Sequence, residues 1–352
     1  MRRIRLNPFL RLAALALCAC VSSVTAFASE HPLFMDVAVQ NRFFSKSTGQ
    51  AVIRVRLRER ALLDLIIYDE EERVVGHRAS PSLATEHEVH CPSFPSVASG
   101  ELRFMLVAVN EAGTVMARYP DSITPEKLVE VVDMRVENET GQISFLLPRA
   151  AYVRLRAGIK NGPYLEPVEP WRPRPAGKHI VNWDGSSHNG LIGNLLQHPE
   201  GKISVLAVTL APNALICLNP SEGPPVGPVV PELPKRLQQF KKPTWPGDRD
   251  GARQWVVDDY RIGVRVEVEG EVAMIRATCD PSDRTRLMNS RFEVMLFIDN
   301  VFYTEDERAL LPFSYRFSTR GLSAGQHVVT VNIIDVDGNV GTASAAFRKP
   351  QE

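Results

Sequence analysis

Ala51-Val52-Ile53-Arg54-Val55-Arg56-Leu57-Arg58 gives the clearest indication of β-structure in this chain. Apolar residues alternate with arginines, and a period of two places one set on each face of a half-buried β-strand. The apolar run Leu62–Tyr68 follows, and with the charged residues 69–73 and Val74-Val75 it predicts a hairpin. Residues 102–109 predict another strand, whereas helical periodicity is nearly absent and only 125–132 fits one helical turn. The chain is therefore expected to be all-β.

An internal repeat divides the first two hundred residues. Thr48-Gly49-Gln50 is matched 92 residues later by Thr140-Gly141-Gln142, and His87-Glu88-Val89 is matched at the same offset by His179-Ile180-Val181. Matches in constant order predict a tandem pair of related domains. We place the first module at residues 31–120 and the second at 133–217.

A proline-rich segment follows the repeat. Eight prolines lie between residues 218 and 247, and proline removes backbone donors that a sheet interior needs. Residues 218–254 are therefore predicted to be an extended, semi-rigid linker. Beyond it, Asp299-Asn300 and 335–339 separate apolar runs as hairpin turns do, which predicts a third β-sandwich at residues 255–348.

The N-terminus has the features of a secretory signal peptide. Four arginines precede a short apolar stretch, namely Arg2, Arg3, Arg5 and Arg11. The sequence Ala26-Phe27-Ala28 after this stretch provides a cleavage site. We predict that residues 1–28 are removed, which makes the protein periplasmic, outer-surface or extracellular. An alternative is a lipid anchor at Cys20, because Leu17-Cys18-Ala19-Cys20 resembles a lipoprotein box.

Charge and cysteine content limit the classes of partner and cofactor. The chain has 41 basic and 41 acidic residues, and cleavage removes four arginines, so the mature protein carries a net charge of −4. Nucleic-acid binding calls for a basic surface and is not expected. The cysteines Cys91, Cys217 and Cys279 are too few and too far apart to form a disulfide framework. The alternatives are a single disulfide between two of them or a bridge to another molecule. No later stretch is long and apolar enough to predict a transmembrane helix.

Residues 176–190 carry a pattern that resembles a known family. The pattern consists of Gly177-Lys178-His179-Ile180-Val181-Asn182-Trp183-Asp184-Gly185, followed by Gly190. It is similar to the signature of the immunoglobulin-like domain of bacterial flagellar hook-capping proteins. The resemblance covers residues 133–212. It implies that Trp183 lies in the core and that Asp184 and Gly185 form a tight turn, which are structural roles.

The third module resembles the immunoglobulin-like domains of bacterial surface proteins. The residues that carry this resemblance are 321–331, followed by Asp335-Val336-Asp337-Gly338-Asn339. The predicted fold class is accordingly all-β, with tandem immunoglobulin-like β-sandwiches in three modules. Folds of this class host many functions, so the resemblance implies the fold rather than an activity.

The sequence contains no recognisable catalytic or cofactor motif. His87 and His90 are three residues apart, so a strand would place them on opposite faces and they are not expected to share a metal. Asp335, Asp337 and Asn339 offer oxygens of the kind that bind Ca²⁺, but the full twelve-residue calcium loop is absent and a plain turn is favoured. We predict no enzyme activity, no cofactor and no metal.

The segment Lys160–Lys178 is the best candidate for a binding site. It is predicted to be a stiff loop because it contains five prolines. Tyr164 and Trp171 are large aromatics with a polar group, and Arg172 and Arg174 reach carboxylates or stack on rings. Such residues form interface hot spots, but they also fold back onto their own domain.

Two functions fit these features. The first is a structural, scaffolding or protein-binding role in the bacterial envelope or at the extracellular surface, with another envelope or extracellular protein as the partner. The alternative is a carbohydrate-binding protein of the envelope or matrix, which would use Tyr164 or Trp171 as a platform for sugar rings.

Overall fold

The structure, a computed structural model, describes residues 33–45, 50–69, 72–91, 100–120, 127–187, 190–191, 193–218, 233–240 and 259–351. The predicted signal peptide and the lipoprotein box lie outside the described residues. In the part that is described, the chain is all-β, and its sheets form three immunoglobulin-like β-sandwich units.

The first unit is organised by one long, bent strand. Its strands are β1 (Phe34–Gln40), β2 (Phe43–Phe44), β3 (Val52–Tyr68), β4 (Val74–Ala79), β5 (Ala84–His90), β6 (Gly100–Val109) and β7 (Val115–Tyr119). The first half of β3 pairs with β1 and β5, and the second half pairs with β4 and β6. Ile53, Val55 and Leu57 are buried between the two layers, and the arginines between them are exposed, as the alternation predicts.

The second unit repeats this arrangement with the long strand divided in two. Its strands are β8 (Val132–Glu137), β9 (Gln142–Leu147), β10 (Ala151–Ile159), β11 (Tyr164–Arg174), β12 (Gly177–Asn182) and β13 (Gly201–Thr209), and β14 (Ala214–Cys217) follows them in the chain. The sheet orders are β12-β9-β8 and β11-β10-β13. They match β5-β3-β1 and β4-β3-β6 of the first unit if β9 and β10 together stand for β3. The sequence repeat predicts such a correspondence.

Strand β14 does not pair with the second unit. It pairs antiparallel with β6 and parallel with β2, so the chain returns to the first unit after β13. Leu215 is buried in the core of the first unit. The predicted second module ends at residue 217, but its last strand belongs to a sheet of the first unit.

The predicted linker is not extended where the structure describes it. Residues Lys235–Phe240 form a 3-10 helix, and Leu233 and Leu237 cover the outer face of the sheet that contains Tyr68. This cover explains why the run Leu62–Tyr68 is largely apolar on both faces, since both faces are buried, and the buried Asp64 is its one charged residue. Burial also raises the pKa of Tyr68.

The third unit is a sandwich of a three-stranded and a four-stranded sheet. Its elements are β15 (Ile262–Glu269), β16 (Val272–Cys279), α1 (Pro281–Met288), β17 (Phe292–Ile298), β18 (Val301–Asp306), β19 (Phe313–Ser318), β20 (Gly325–Asp335) and β21 (Val340–Lys349). The sheet orders are β15-β16-β19 and β18-β17-β20-β21. The core between the sheets contains Leu296, Val331 and Phe317.

Two local predictions for the third unit are confirmed and one helix is new. Asp299 and Asn300 form the β17–β18 turn with φ of 51° and 69°, the left-handed conformation expected of a two-residue hairpin. The β20–β21 turn is also present. Helix α1 has no counterpart in the sequence analysis. It is one short element that buries only Leu287, and Asp280 caps it by accepting the backbone N–H of Ser282.

Candidate functional site

The predicted binding loop is a strand. Residues 164–174 form β11, the edge strand of the sheet β11-β10-β13. An edge strand tolerates proline because one of its sides needs no ladder hydrogen bonds, and the pairing with β10 is irregular at three places. The prediction of a loop was therefore wrong for a physical reason: the prolines mark an edge.

Trp171 is folded onto its own unit. Its ring packs beside Tyr152 and Val208, and the guanidinium carbon of Arg154 lies 4.5 Å from the ring centroid. This cation–π contact covers one face of the indole. Trp171 therefore does not present a free flat surface to a ligand.

Tyr164 contacts the third unit through its backbone. Its N–H donates to Oδ1 of Asn332 at 2.9 Å, and its carbonyl accepts from Nδ2 of Asn332 at 2.9 Å. Asn332 is 1% exposed, and it also donates to the Thr342 hydroxyl. The Tyr164 ring is 42% exposed and lies near Arg156. The side-chain amide of Asn332 thus behaves like one more residue paired with the end of β11.

The two predicted arginines differ in their surroundings. Arg174 donates from Nη2 to both carboxylate oxygens of Glu169, at 2.7 and 2.8 Å, and stacks near Phe145. Arg172 is exposed, and its Nε is 3.8 Å from the nearest Glu169 oxygen. Arg174 is therefore held within the sheet, and of the four predicted binding residues Arg172 has the freest charged side chain.

Two further arginines, which the sequence analysis did not single out, join the second and third units. Arg154 and Arg156 are 4% and 8% exposed, and both donate to Oδ1 of Asp259. Burial lowers the pKa of Arg154 to about 10, and the neighbouring Arg156 acts in the same direction, while Asp259 opposes them. The Arg154 guanidinium group therefore remains charged at neutral pH. We call Arg154, Arg156, Asp259, Tyr164 and Asn332 the polar junction.

The contact between the first and second units combines an apolar cluster with a buried hydrogen bond from the Tyr152 hydroxyl to the Glu101 carboxylate. Tyr152 and Val208 of the second unit pack against Ile216 on β14, with Phe43 beside them. Arg42 donates to the carbonyls of three residues that lead into or open β14, and burial lowers its pKa to about 10. These three residues are Ala211, Pro212 and Ala214. We call the contacts of Phe43, Arg42 and Ile216 with the second unit the apolar junction.

The signature residues of the second unit lie at a tight turn. Trp183 is half-buried and packs against two apolar clusters. Asp184 Oδ1 accepts from the hydroxyl of Ser186 at 2.6 Å and from its N–H at 2.9 Å, and these bonds lower the pKa of Asp184. Gly185 has φ of +81°, and an added Cβ would lie 2.1 Å from Oδ1 of Asn194. Only glycine fits this position.

The remaining sequence candidates are part of the fold. His87 is buried and His90 is exposed, on opposite faces of β5 as expected. The Asp335 carboxylate accepts from the Tyr260 hydroxyl, from two backbone N–H groups and from the Asn339 amide. Within the described residues, no group of three or more His, Cys, Asp or Glu side chains has the arrangement of a metal site, and no helix is long and apolar enough to cross a membrane.

An exposed apolar strand is the feature that the sequence analysis passed over. Val301, Phe302 and Tyr303 on β18 are 68%, 48% and 43% exposed. The sequence places these three residues in the hairpin strand after Asp299-Asn300. A run of three apolar residues without alternation also indicates that an apolar side chain is exposed. On a half-buried strand, every second side chain faces water and is normally polar.

Comparisons with known proteins leave the family of this chain open. No protein-family model matches it, and no curated protein matches it. Among solved structures, it is similar to the central fibronectin-III array of RIM-binding protein, with 7% identity over 92% of this chain and 99% of that chain and a TM-score of 0.19. It is also similar to a 1.5-MDa bacterial ice-binding adhesin, with 10% identity over 92% of this chain and 99% of that chain and a TM-score of 0.20.

A third similar structure is the chicken interferon gamma receptor alpha chain, with 7% identity over 64% of this chain and 99% of that chain and a TM-score of 0.23. Similarities with such low sequence identities and TM-scores do not support a conclusion about function. The fold assignment rests on the sheet topology itself, and the resemblance of residues 133–212 to hook-capping proteins stays a prediction.

Proposed function

We propose that this chain is an exported, non-enzymatic scaffold that binds another protein of the bacterial envelope or extracellular surface. The polar junction is the observation that carries the proposal. It uses buried arginines and a buried asparagine to hold the third unit against the second, and a partner-binding surface gains affinity when it is held in a fixed position.

The buried charges support a structural role. Asp64, which is fully buried, contacts Arg236 at 3.0 Å and His77 at 2.9 Å, and these contacts fasten the 3-10 helix to the first unit. Asp335 and Glu169 are likewise satisfied by neighbouring side chains. Catalytic groups are expected to meet in a cleft and to face a substrate, whereas these carboxylates face groups of the fold.

The carbohydrate-binding alternative loses its platform. Arg154 lies over one face of the Trp171 ring, and the guanidinium carbon of Arg156 lies 5.7 Å from the centroid of the Tyr164 ring. A sugar-binding aromatic needs an open face, so we do not propose this function.

Photocross-linking in the producing bacterium tests the proposal. A benzophenone amino acid is placed at Val301, at Ile180 and at Glu139, which are exposed positions in the third and second units. We expect the chain in the envelope fraction or the medium, cleaved after Ala28, with a discrete ultraviolet-dependent cross-link to one protein. An uncleaved cytoplasmic chain, or the absence of a cross-link from every position, would contradict the proposal.

A further inference from the structure

Strand β18 is an edge strand without the usual protection. It pairs with β17 on one side and ends its sheet on the other. Edge strands present unpaired N–H and C=O groups, and proteins commonly blunt them with proline or lysine. The edge strand β11 contains three prolines, whereas β18 contains neither proline nor lysine.

The side chains of β18 flank its backbone rather than cover it. The Phe302 ring stands edge-on to Phe297 at 5.8 Å, while the Tyr303 ring lies 5.5 Å from Phe317 in the core of the third unit. The two rings therefore lean toward opposite faces of the sheet. Between them, none of the described residues pairs with the outer backbone edge of the strand.

The end of the strand and the residue that follows it are acidic. Glu305, Asp306 and Glu307 follow one another and are exposed. Beyond them lies a shallow depression of about 270 Å³, whose lining includes the carboxylates of Glu293 and Glu307 as well as Arg291. The edge thus has an apolar half at 301–303 and an acidic half at 305–307.

We infer that β18 binds an extended segment of the partner protein by strand addition, and that this segment has basic residues opposite Glu305 and Glu307 and apolar residues opposite Val301 and Phe302. The inference rests on the proposed function and names the class of partner. Main-chain hydrogen bonds to the free edge supply affinity, and the charge pattern supplies the register and direction.

Charge favours a basic partner over a second copy of this chain. Antiparallel pairing of two β18 strands would place the acidic half of each beside the aromatic half of the other. No cation would then face Glu305 or Glu307. A segment with lysine or arginine in its first half and apolar residues in its second half matches both halves when it runs antiparallel to β18.

A peptide experiment with the full chain tests the inference. The probe is a fluorescent peptide of the sequence Lys-Thr-Lys-Thr-Val-Val-Val-Thr, which places lysines opposite Glu307 and Glu305 and valines opposite Phe302 and Val301. Binding is followed by anisotropy and by hydrogen exchange of the amides in 301–306. We expect saturable binding that protects these amides and weakens with salt. The double variant Glu305→Lys/Glu307→Lys should lose affinity by about tenfold and should bind the peptide in which glutamate replaces lysine.

The matched control is Glu111→Lys/Glu139→Lys, which makes the same charge change at exposed turns of the other units. Equal affinity in both double variants, or binding without protection of 301–306, would overturn the inference. So would a concentration-dependent dimer of the free chain that protects β18, because the occupant would then be a second copy. A cross-linked partner at Ile180 or Glu139 alone would refute this site but leave the proposed function standing.

Discussion

The two junctions between the units are built from different chemistry. At the apolar junction, β14 follows the second unit in sequence, yet it lies in a sheet of the first unit and buries Leu215 in its core. At the polar junction, the third unit keeps its own core, and the contact is made by Arg154, Arg156 and Asp259 with the Tyr164–Asn332 pair. The first contact is a part of folding, whereas the second joins two folded units.

This difference predicts where the molecule separates under stress. Strand β14 follows the second unit in the chain, lies in a sheet of the first unit and packs against Tyr152 and Val208, so we expect the first two units to unfold together. The third unit should detach without unfolding when the polar junction is broken.

Truncation of Leu215 should have the largest effect. It is fully buried in the first unit, and Leu→Ala changes at such sites cost about 2–5 kcal/mol. Leu215→Ala should lower the free energy of unfolding of the first two units by about 3 kcal/mol, measured by urea denaturation. The transition of the third unit should not move. Leu218→Ala, at a position 48% exposed, is the control and should change stability by less than about 0.5 kcal/mol.

Removal of the Asp259 carboxylate should open the polar junction. Asp259→Ala leaves Arg154 and Arg156 buried without their anion, which costs about 3–5 kcal/mol in a fully buried pair. The side chain of Asp259 is 28% exposed, so we expect about 2 kcal/mol. Hydrogen exchange should become faster at Tyr164 while the core strands of the third unit stay protected. Glu267→Ala, an exposed position, serves as the control, and global unfolding of the third unit would contradict the prediction.

Loss of the Asn332 amide should weaken the same junction by less. Asn332→Ala removes the bonds to both backbone groups of Tyr164, and a neutral hydrogen bond contributes about 1 kcal/mol. The expected result is faster exchange at Tyr164, with a smaller increase than in Asp259→Ala. An unchanged exchange rate would show that Tyr164 is held by other contacts. Ser314→Ala, at an exposed position on β19, is a suitable control.

Two histidines should give the units opposite pH responses, with effects below about 1 kcal/mol. Burial lowers the pKa of His87 in the first unit, so its neutral form is favoured and stability falls as the pH drops below about 6.5. Burial also acts to lower the pKa of His327, but bonds to Asp299 and the Ser323 carbonyl outweigh it and raise that pKa. Its stabilisation is complete below about 6.5 and is lost as the pH rises through the raised pKa.

Unfolding followed by calorimetry between pH 5 and 8.5 measures both responses. His327→Asn should remove the alkaline loss of stability in the third unit alone, and His87→Asn should remove the acid loss in the first unit. Responses of the same sign in the two units would contradict the assignment of these pKa shifts.

Much of the fold could be predicted because short-range patterns determine it. The alternation at 51–58, the hairpin residues Asp299 and Asn300, and the internal repeat all reflect local backbone preferences or strand period. The path of β14 could not be predicted in the same way. Four residues such as 214–217 form a strand wherever a free edge is available, and only the folded first unit offers one beside β6.

The candidate site was harder to predict than the fold. The sequence identified the segment 160–178 as unusual, but its prolines indicated a loop, whereas they lie on an edge strand. The sequence indicates that the Trp171 ring can make binding contacts. It does not show that Arg154 covers one face of that ring. Arg154 itself sits in an alternating strand and looks like any exposed arginine, since burial by another unit leaves no trace in local sequence.

A distance measurement between the second and third units tests the fixed arrangement most directly. In a variant in which Cys91, Cys217 and Cys279 are replaced by alanine, spin labels are attached at Lys178→Cys and Arg348→Cys, both exposed, and their separation is measured by pulsed electron resonance. The polar junction predicts one narrow distance distribution that broadens when Asp259→Ala is added. A broad distribution before that change, or an unchanged narrow one after it, would contradict the role given to the junction.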